Sequence, residues 1–133
     1  MDVLVDSNVI LDIVTADPEW FSWSSQSVTQ CSSTALLVIN PIIYAEVSVG
    51  FEEIEDLEDV LDPHLFRRDP IPWEAAFLAG KCFVTYRKAK GGKTSPLPDF
   101  FIGAHAAVAK MKLLTRDAVR YRTYFPTVEL ICP

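Results

Sequence analysis

Four acidic residues stand apart from the rest of this 133-residue chain. Asp6 ends the short apolar run Val3-Leu4-Val5. Glu46 lies in Pro41-Ile-Ile-Tyr-Ala-Glu46-Val47, with apolar neighbours on both sides. Asp99 follows Leu97-Pro98 and precedes Phe100-Phe101-Ile102. Asp117 comes just after Leu113-Leu114-Thr115. An acid embedded in apolar sequence is expected to be partly buried, which is costly unless a cation or hydrogen bonds compensate it. Carboxylates that meet repel one another until a metal or a proton sits between them. Oxygen ligands without His or Cys favour Mg²⁺, with Mn²⁺ as a substitute. A cation held in such a centre can acidify a bound water and offset developing negative charge. Taken singly, Asp6, Asp99 and Asp117 also read as helix N-caps, and Glu46 as a solvent-facing helical residue. The joint pattern carries the inference.

The elements that must position these acids alternate along the chain. Strands are expected at Val3–Val5, Ala35–Ile39, Leu65–Arg67 (the weakest), Leu113–Thr115 and Val128–Cys132. Helices are expected at Ser7–Val14, Pro18–Gln30, Pro41–Val49, Phe51–Leu61, Trp73–Lys90, Pro98–Lys112 and Asp117–Tyr124. Proline at a first helical position opens several of them, and Gly50 and Gly91-Gly92 close two. Short apolar strands between helices predict an α/β fold with a mostly parallel sheet covered on both faces. Ligands in such folds bind beyond the carboxyl ends of the strands, where Asp6 and Asp117 would lie if their strands are neighbours. The length suits one domain over residues 1–133.

Charge is divided unevenly. Residues 1–66 hold thirteen Asp or Glu and no Lys or Arg, whereas residues 67–133 hold all twelve Lys and Arg against five acids. The acidic half would repel nucleic acid, and the basic half can supply phosphate contacts. A divalent cation in the acidic pocket reconciles the two by inverting the local field. Arg87, Lys88, Lys90 and Lys93 crowd a helix end and the loop before Asp99, and are the expected phosphate contacts together with Arg116. Arg120 and Arg122 extend that second set. The alternative for the first cluster is a solvated helix end with cations near its negative pole. No apolar run reaches the ~18 residues of a membrane helix, and acid precedes the first apolar residues, unlike a secretory leader. A cytoplasmic location is the expectation. Cys31, Cys82 and Cys132 are too scattered for a zinc site or disulfide framework.

Four stretches together resemble a family. Val5-Asp6-Ser7-Asn8-Val9-Ile10-Leu11-Asp12, Tyr44-Ala45-Glu46-Val47, Leu97-Pro98-Asp99-Phe-Phe-Ile-Gly-Ala-His-Ala-Ala107 and Leu114-Thr115-Arg116-Asp117 resemble, in order and spacing, the acidic motifs of PIN-domain ribonucleases, nearest to the VapC-type toxins of toxin–antitoxin pairs. The resemblance implies a three-layer fold with a five-stranded, mostly parallel twisted sheet flanked by helices. It implies an Mg²⁺-dependent endoribonuclease, with Asp6, Glu46, Asp99 and Asp117 in the metal site and Asp6 and Asp99 as direct ligands. Ser7 and Thr115 are expected to hydrogen-bond those carboxylates or the phosphate. An antitoxin partner covering the acidic site and a homodimer are likewise implied.

Other signals carry less. Gly92-Lys93-Thr94 lacks the earlier glycine of a P-loop, since Arg87 stands there. Asp6-Ser7-Asn8 lacks the second Asp of a haloacid-dehalogenase-like phosphatase. A receiver-like Mg²⁺-binding regulatory module would need a second acid beside Asp6 and a Lys after a late strand, where Arg116 stands. His105 is expected in the core or an interface, and His64 in a loop. Glu52–Asp62 reads as an amphipathic surface helix. Trp20, Phe21 and Trp23 belong either to the core or to a partner groove.

Overall fold

The structure, a computed structural model, describes residues 2–90 and 97–133. Its strands are β1 (Asp2–Val5), β2 (Leu36–Ile39), β3 (Phe66–Arg68), β4 (Lys112–Leu114) and β5 (Leu130–Ile131). Its helices are α1 (Ser7–Val14), α2 (Phe21–Thr34), α3 (Pro41–Ser48), α4 (Ile54–Val60), α5 (Trp73–Lys90), α6 (Leu97–Ala109) and α7 (Val119–Tyr124). The five strands form one sheet in the order β3-β2-β1-β4-β5, and every neighbouring pair is parallel. The expected α/β sheet is present, including its weakest strand, which starts one residue late at Phe66.

The strand order decides where a ligand fits. A receiver-like sheet has β3 beside β1, whereas here β4 lies beside β1, with Val5 opposite Leu114. The order reverses between β1 and β4, and the crevice outside the carboxyl ends at such a reversal is the binding position of doubly wound sheets. Asp6 leaves β1 and Thr115 leaves β4 into that crevice. The strand interiors are apolar throughout: Val3, Leu4, Val5, Leu37, Val38, Ile39, Leu113 and Leu114 are all buried, as a sheet covered on both faces requires.

Helix boundaries differ from expectation where side chains compete with the backbone. α2 starts at Phe21 rather than Pro18, because Asp17 Oδ1 accepts from the Glu19 and Trp20 amides at 2.9 Å each and turns Pro18–Trp20. It runs on to Thr34, with the Ser32 and Ser33 hydroxyls donating to the carbonyls of Thr29 and Gln30. α3 begins as expected: Asn40 Oδ1 accepts from Ile43 N at 2.9 Å and Pro41 takes the first turn. α6 stops at Ala109, short of Lys112, because Lys110 turns the chain with φ 57°. α5 has its expected bounds.

Packing holds α6 and α7 under the site. A Cβ on Gly103 would come within 2.4 Å of the Phe125 ring, so only glycine lets α6 approach so closely. Phe100, fully buried, packs edge-on against Tyr86, Tyr124 and Phe125. This cluster fixes the start of α6, which carries Asp99, against α7.

Candidate active site

Asp6 is 3 % exposed and occupies the N-cap position of α1, yet its side chain caps nothing. Its Oδ2 instead accepts hydrogen bonds from Thr115 Oγ1 and Tyr121 OH, both at 2.9 Å, with Asn8 Nδ2 further off at 3.4 Å. Among the described residues Oδ1 has only Ser7 Oγ near it, at 3.4 Å, and that hydroxyl gives its one proton to Glu46. The donors therefore saturate one oxygen and leave the other open. Burial nevertheless dominates and pushes the Asp6 carboxyl up to about 6, opposed by Thr115 and Tyr121 and aided by the charges of Asp99 and Glu46.

Glu46 projects from α3 towards α1, where its Oε1 accepts from Ser7 Oγ at 2.8 Å. Burial raises its carboxyl above the usual range, Ser7 opposes, and Asp99 adds to the rise. Asp99 sits in the first turn of α6 and pairs with Arg120 of α7. Its carboxyl is also raised, by burial first, against Arg120, with the charge of Asp117 adding to it. Asp117 is exposed, one residue before the Ala118 N-cap of α7, so it does not cap that helix. Its amide donates to Thr115 Oγ1 at 3.2 Å. The four acids expected from sequence thus converge on one edge of the sheet. Asp99 acts electrostatically on both Asp6 and Glu46.

Ser7 gives its hydroxyl to Glu46 and Thr115 gives its own to Asp6. Thr115, fully buried, is a node: it donates to Asp6 and receives Asn8 Nδ2 at 3.3 Å and the Asp117 amide. Two further residues that sequence reasoning missed bear on the site, Tyr121 directly and Asp12 through Arg116. Tyr121 is 2 % exposed and gives its hydroxyl to Asp6. Burial and the charges of Asp6 and Asp99 push its phenol well above its ordinary value, so it remains a donor. Asp12 is 2 % exposed and accepts on Oδ2 from Ser24 Oγ and Arg116 Nε, each at 2.8 Å. Its signal was present: Asp12 lies in the apolar run Val9–Val14, the cue that marks Glu46 and Asp99. For Tyr121 no such cue exists, because aromatic residues at that spacing on a helix read as core.

The expected RNA-binding residues fall into three groups. Arg87 and Lys88 are exposed on the last turn of α5, with the Arg87 guanidinium 5.8 Å from the Phe83 ring centre. Lys90 ends that helix, and Lys93 with its glycine loop lies outside the described residues. Arg116 is bound to buried Asp12 and lies 5.4 Å from the Trp20 ring centre, so it braces the loop after β4 against α1 and α2. Trp23 packs on the core, Trp20 meets it edge-on, and Phe21 is exposed. His105 is a core residue, as expected. It is 1 % exposed, 3.0 Å from Asn40 Nδ2, and burial lowers its pKa. In the neutral ring Nδ1 accepts that bond. Cys31, Cys82 and Cys132 are free thiols.

Three carboxyl groups raised first by burial, with Asp99 adding to the rise at both Asp6 and Glu46, fit a divalent cation chemically. Among the described residues, however, no three acidic, His or Cys side chains form a ready-made metal cage. Asp99 is engaged by Arg120 and Glu46 by Ser7, which accounts for the open arrangement. Mg²⁺ retains several waters and needs only one or two direct carboxylates, so an arrangement this open still fits it. No helix among the described residues is long and apolar enough to cross a membrane.

Comparison with known proteins agrees with this geometry. The fold is similar to VapBC2 from Rickettsia felis bound to a DNA fragment from their promoter, with a TM-score of 0.72 at 18 % identity, covering 99 % of this chain and 98 % of that one. It is similar to VapBC-1 from nontypeable Haemophilus influenzae, with a TM-score of 0.70 at 20 % identity, covering 99 % and 98 %. FitAcB from Neisseria gonorrhoeae matches with a TM-score of 0.68 at 21 % identity, covering 97 % and 96 %. No curated protein sequence matches the chain. The PIN domain family matches residues 3–126, from the strand that delivers Asp6 to the turn after the helix that delivers Tyr121. With its four acids at the crevice of a β3-β2-β1-β4-β5 sheet, this chain belongs to the PIN domain family.

Proposed function

We propose that the protein is a metal-dependent endoribonuclease, the toxin of a toxin–antitoxin pair, acting as one domain over residues 1–133. The observation that carries the reading is the gathering of Asp6, Glu46 and Asp99 at the switch point of the sheet, where burial first, and then like charge (Asp99 and Glu46 on Asp6, Asp99 on Glu46, Asp117 on Asp99), raises all three carboxyl groups. Membership of a nuclease family supports hydrolysis of nucleic acid. Asp6, through Oδ1, and Asp99 would hold Mg²⁺ or Mn²⁺, with Asp117 at the exposed side. When bound, the cation would acidify a water and offset charge developing on the phosphate. Glu46, steadied through Oε1 by Ser7, uses its other oxygen to hold the attacking water and accept its proton. Thr115 and Tyr121 keep Asp6 ionised and fix its orientation. Arg87, Lys88, Lys90 and Lys93 supply backbone phosphate contacts on the way to Asp99. A similar solved structure from Klebsiella pneumoniae is a toxin–antitoxin complex, which supports a cognate antitoxin as partner. A homodimer working in the cytoplasm completes the proposal.

Purified protein with Mg²⁺ should cut RNA to leave 5′-phosphate and 3′-hydroxyl ends, and Asp6→Asn should abolish cutting. Cyclic 2′,3′-phosphate ends would refute water attack, since they require the ribose hydroxyl as nucleophile. Undiminished cutting by Asp6→Asn would refute the site.

A further inference from the structure

The acidic site already contains a cation of its own. Arg120 Nη1 contacts Asp99 Oδ2, and both side chains are 32 % exposed, so the pair lies at the mouth of the site rather than beneath it. The guanidinium centre lies 5.9 Å from the Tyr86 ring centre. Arg120 also lines an open cleft of about 410 Å³ with Asp117, Val119, Thr123, Tyr86 and Tyr124. That cleft is continuous with Asp117 at the exposed edge of the acids. Two facts limit what Arg120 can do. An arginine carries a permanent charge, so Arg120 can leave Asp99 only by exchanging one charge partner for another. Its contact also occupies one of the two acids best placed as direct ligands, and no ready-made metal cage exists among the described residues.

We propose, on the metal-dependent nuclease reading above, that Arg120 is an exchangeable counter-ion and a substrate-binding residue. It neutralises Asp99 while the site holds no metal. When a divalent cation takes Asp99, the freed guanidinium turns into the adjoining cleft and clamps an oxygen of the RNA phosphodiester. The planar fork of arginine matches phosphate as it matches carboxylate, so one side chain serves both partners in turn. Metal and Arg120 compete for Asp99, and metal and RNA cooperate through it.

The test needs no cleavage. Mn²⁺ is titrated calorimetrically into wild type, Arg120→Ala and Arg120→Lys without RNA. Loss of a part-exposed ion pair of this kind should tighten Mn²⁺ binding about three- to fivefold in Arg120→Ala, with Arg120→Lys between. A labelled single-stranded RNA is then titrated, with Mn²⁺ present, in the Glu46→Gln background to keep it intact. Arg120→Ala should bind more weakly and its log affinity–log salt slope should fall by about 0.7, one phosphate contact. Arg120→Lys should retain the slope, which separates lost charge from lost fold. Unchanged or weaker Mn²⁺ affinity in Arg120→Ala overturns the competition, and an unchanged salt slope overturns the phosphate contact. Wild type that binds no Mn²⁺ would instead overturn the nuclease reading on which this rests.

Discussion

Asp6 should destabilise the fold that holds it, by an amount its surroundings allow one to work out. Its carboxyl is raised from 3.8 in the unfolded chain to about 6 in the folded protein, chiefly by burial. Between those values the folded state binds more protons than the unfolded state, so stability falls as pH rises. The penalty is absent below about pH 4, grows through the interval and is complete above about pH 6. A difference of about two units at 1.36 kcal/mol each gives about 3 kcal/mol. Asp6→Asn removes the charge and keeps an oxygen that can accept from Thr115 and Tyr121. The stability of the variant minus that of wild type, from urea denaturation in EDTA, should therefore increase by about 3 kcal/mol between pH 4 and pH 7.5. Taking the difference cancels groups that titrate alike in both proteins, such as Asp17 and Asp62, whose carboxyls are lowered by backbone amides. Excess Mg²⁺ should stabilise wild type at pH 7.5 far more than the variant. A difference that stays flat with pH would refute the account of Asp6 as a buried charge awaiting a cation.

Three other perturbations probe its neighbours. Tyr121→Phe removes a donor to a carboxylate, worth about 1.5–3 kcal/mol. The acid limb of Mn²⁺ affinity should move up by about one to two pH units, and an unmoved limb would show that Tyr121 does not tune Asp6. Asp12→Ala strands the Ser24 hydroxyl and Arg116, and should lower stability in urea by about 2 kcal/mol with Mn²⁺ affinity little changed; a large loss of Mn²⁺ affinity would instead make Asp12 part of the metal site. Gly103→Ala drives a methyl into the Phe125 ring and should cost about 1–3 kcal/mol of stability, measured as a lower midpoint in denaturant.

Much of the architecture was legible because it depends on local rules. Alternation of apolar strands and capped helices announced the parallel sheet, and Asn40-Pro41 announced α3 before any coordinate. The boundaries that moved did so where one side chain outcompeted a rule, as Asp17 does in claiming the two amides that would have opened α2 at Pro18. Asp6, Glu46 and Asp99 were legible because a charge surrounded by apolar residues is a local anomaly. Asp12 carried the same anomaly and was passed over. Arg116 and Arg120 looked alike in sequence as free basic residues, yet both hold acids: Asp12 for one, Asp99 for the other.

The sequence alone therefore determined which groups carry charge, which segments are apolar and the order in which strands and helices alternate. Those are properties of single residues and their near neighbours. Tertiary structure decided the strand order, and with it that β1 and β4 lie side by side and bring Asp6 to Thr115 across 109 positions of chain. It decided that one Asp6 oxygen is saturated by Thr115 and Tyr121 while the other stays open, and that Arg120 turns towards Asp99. The physical reason is that desolvation and charge coupling depend on what surrounds a group in space. A carboxyl raised to about 6 belongs to the crevice that encloses Asp6 and to no short stretch of chain.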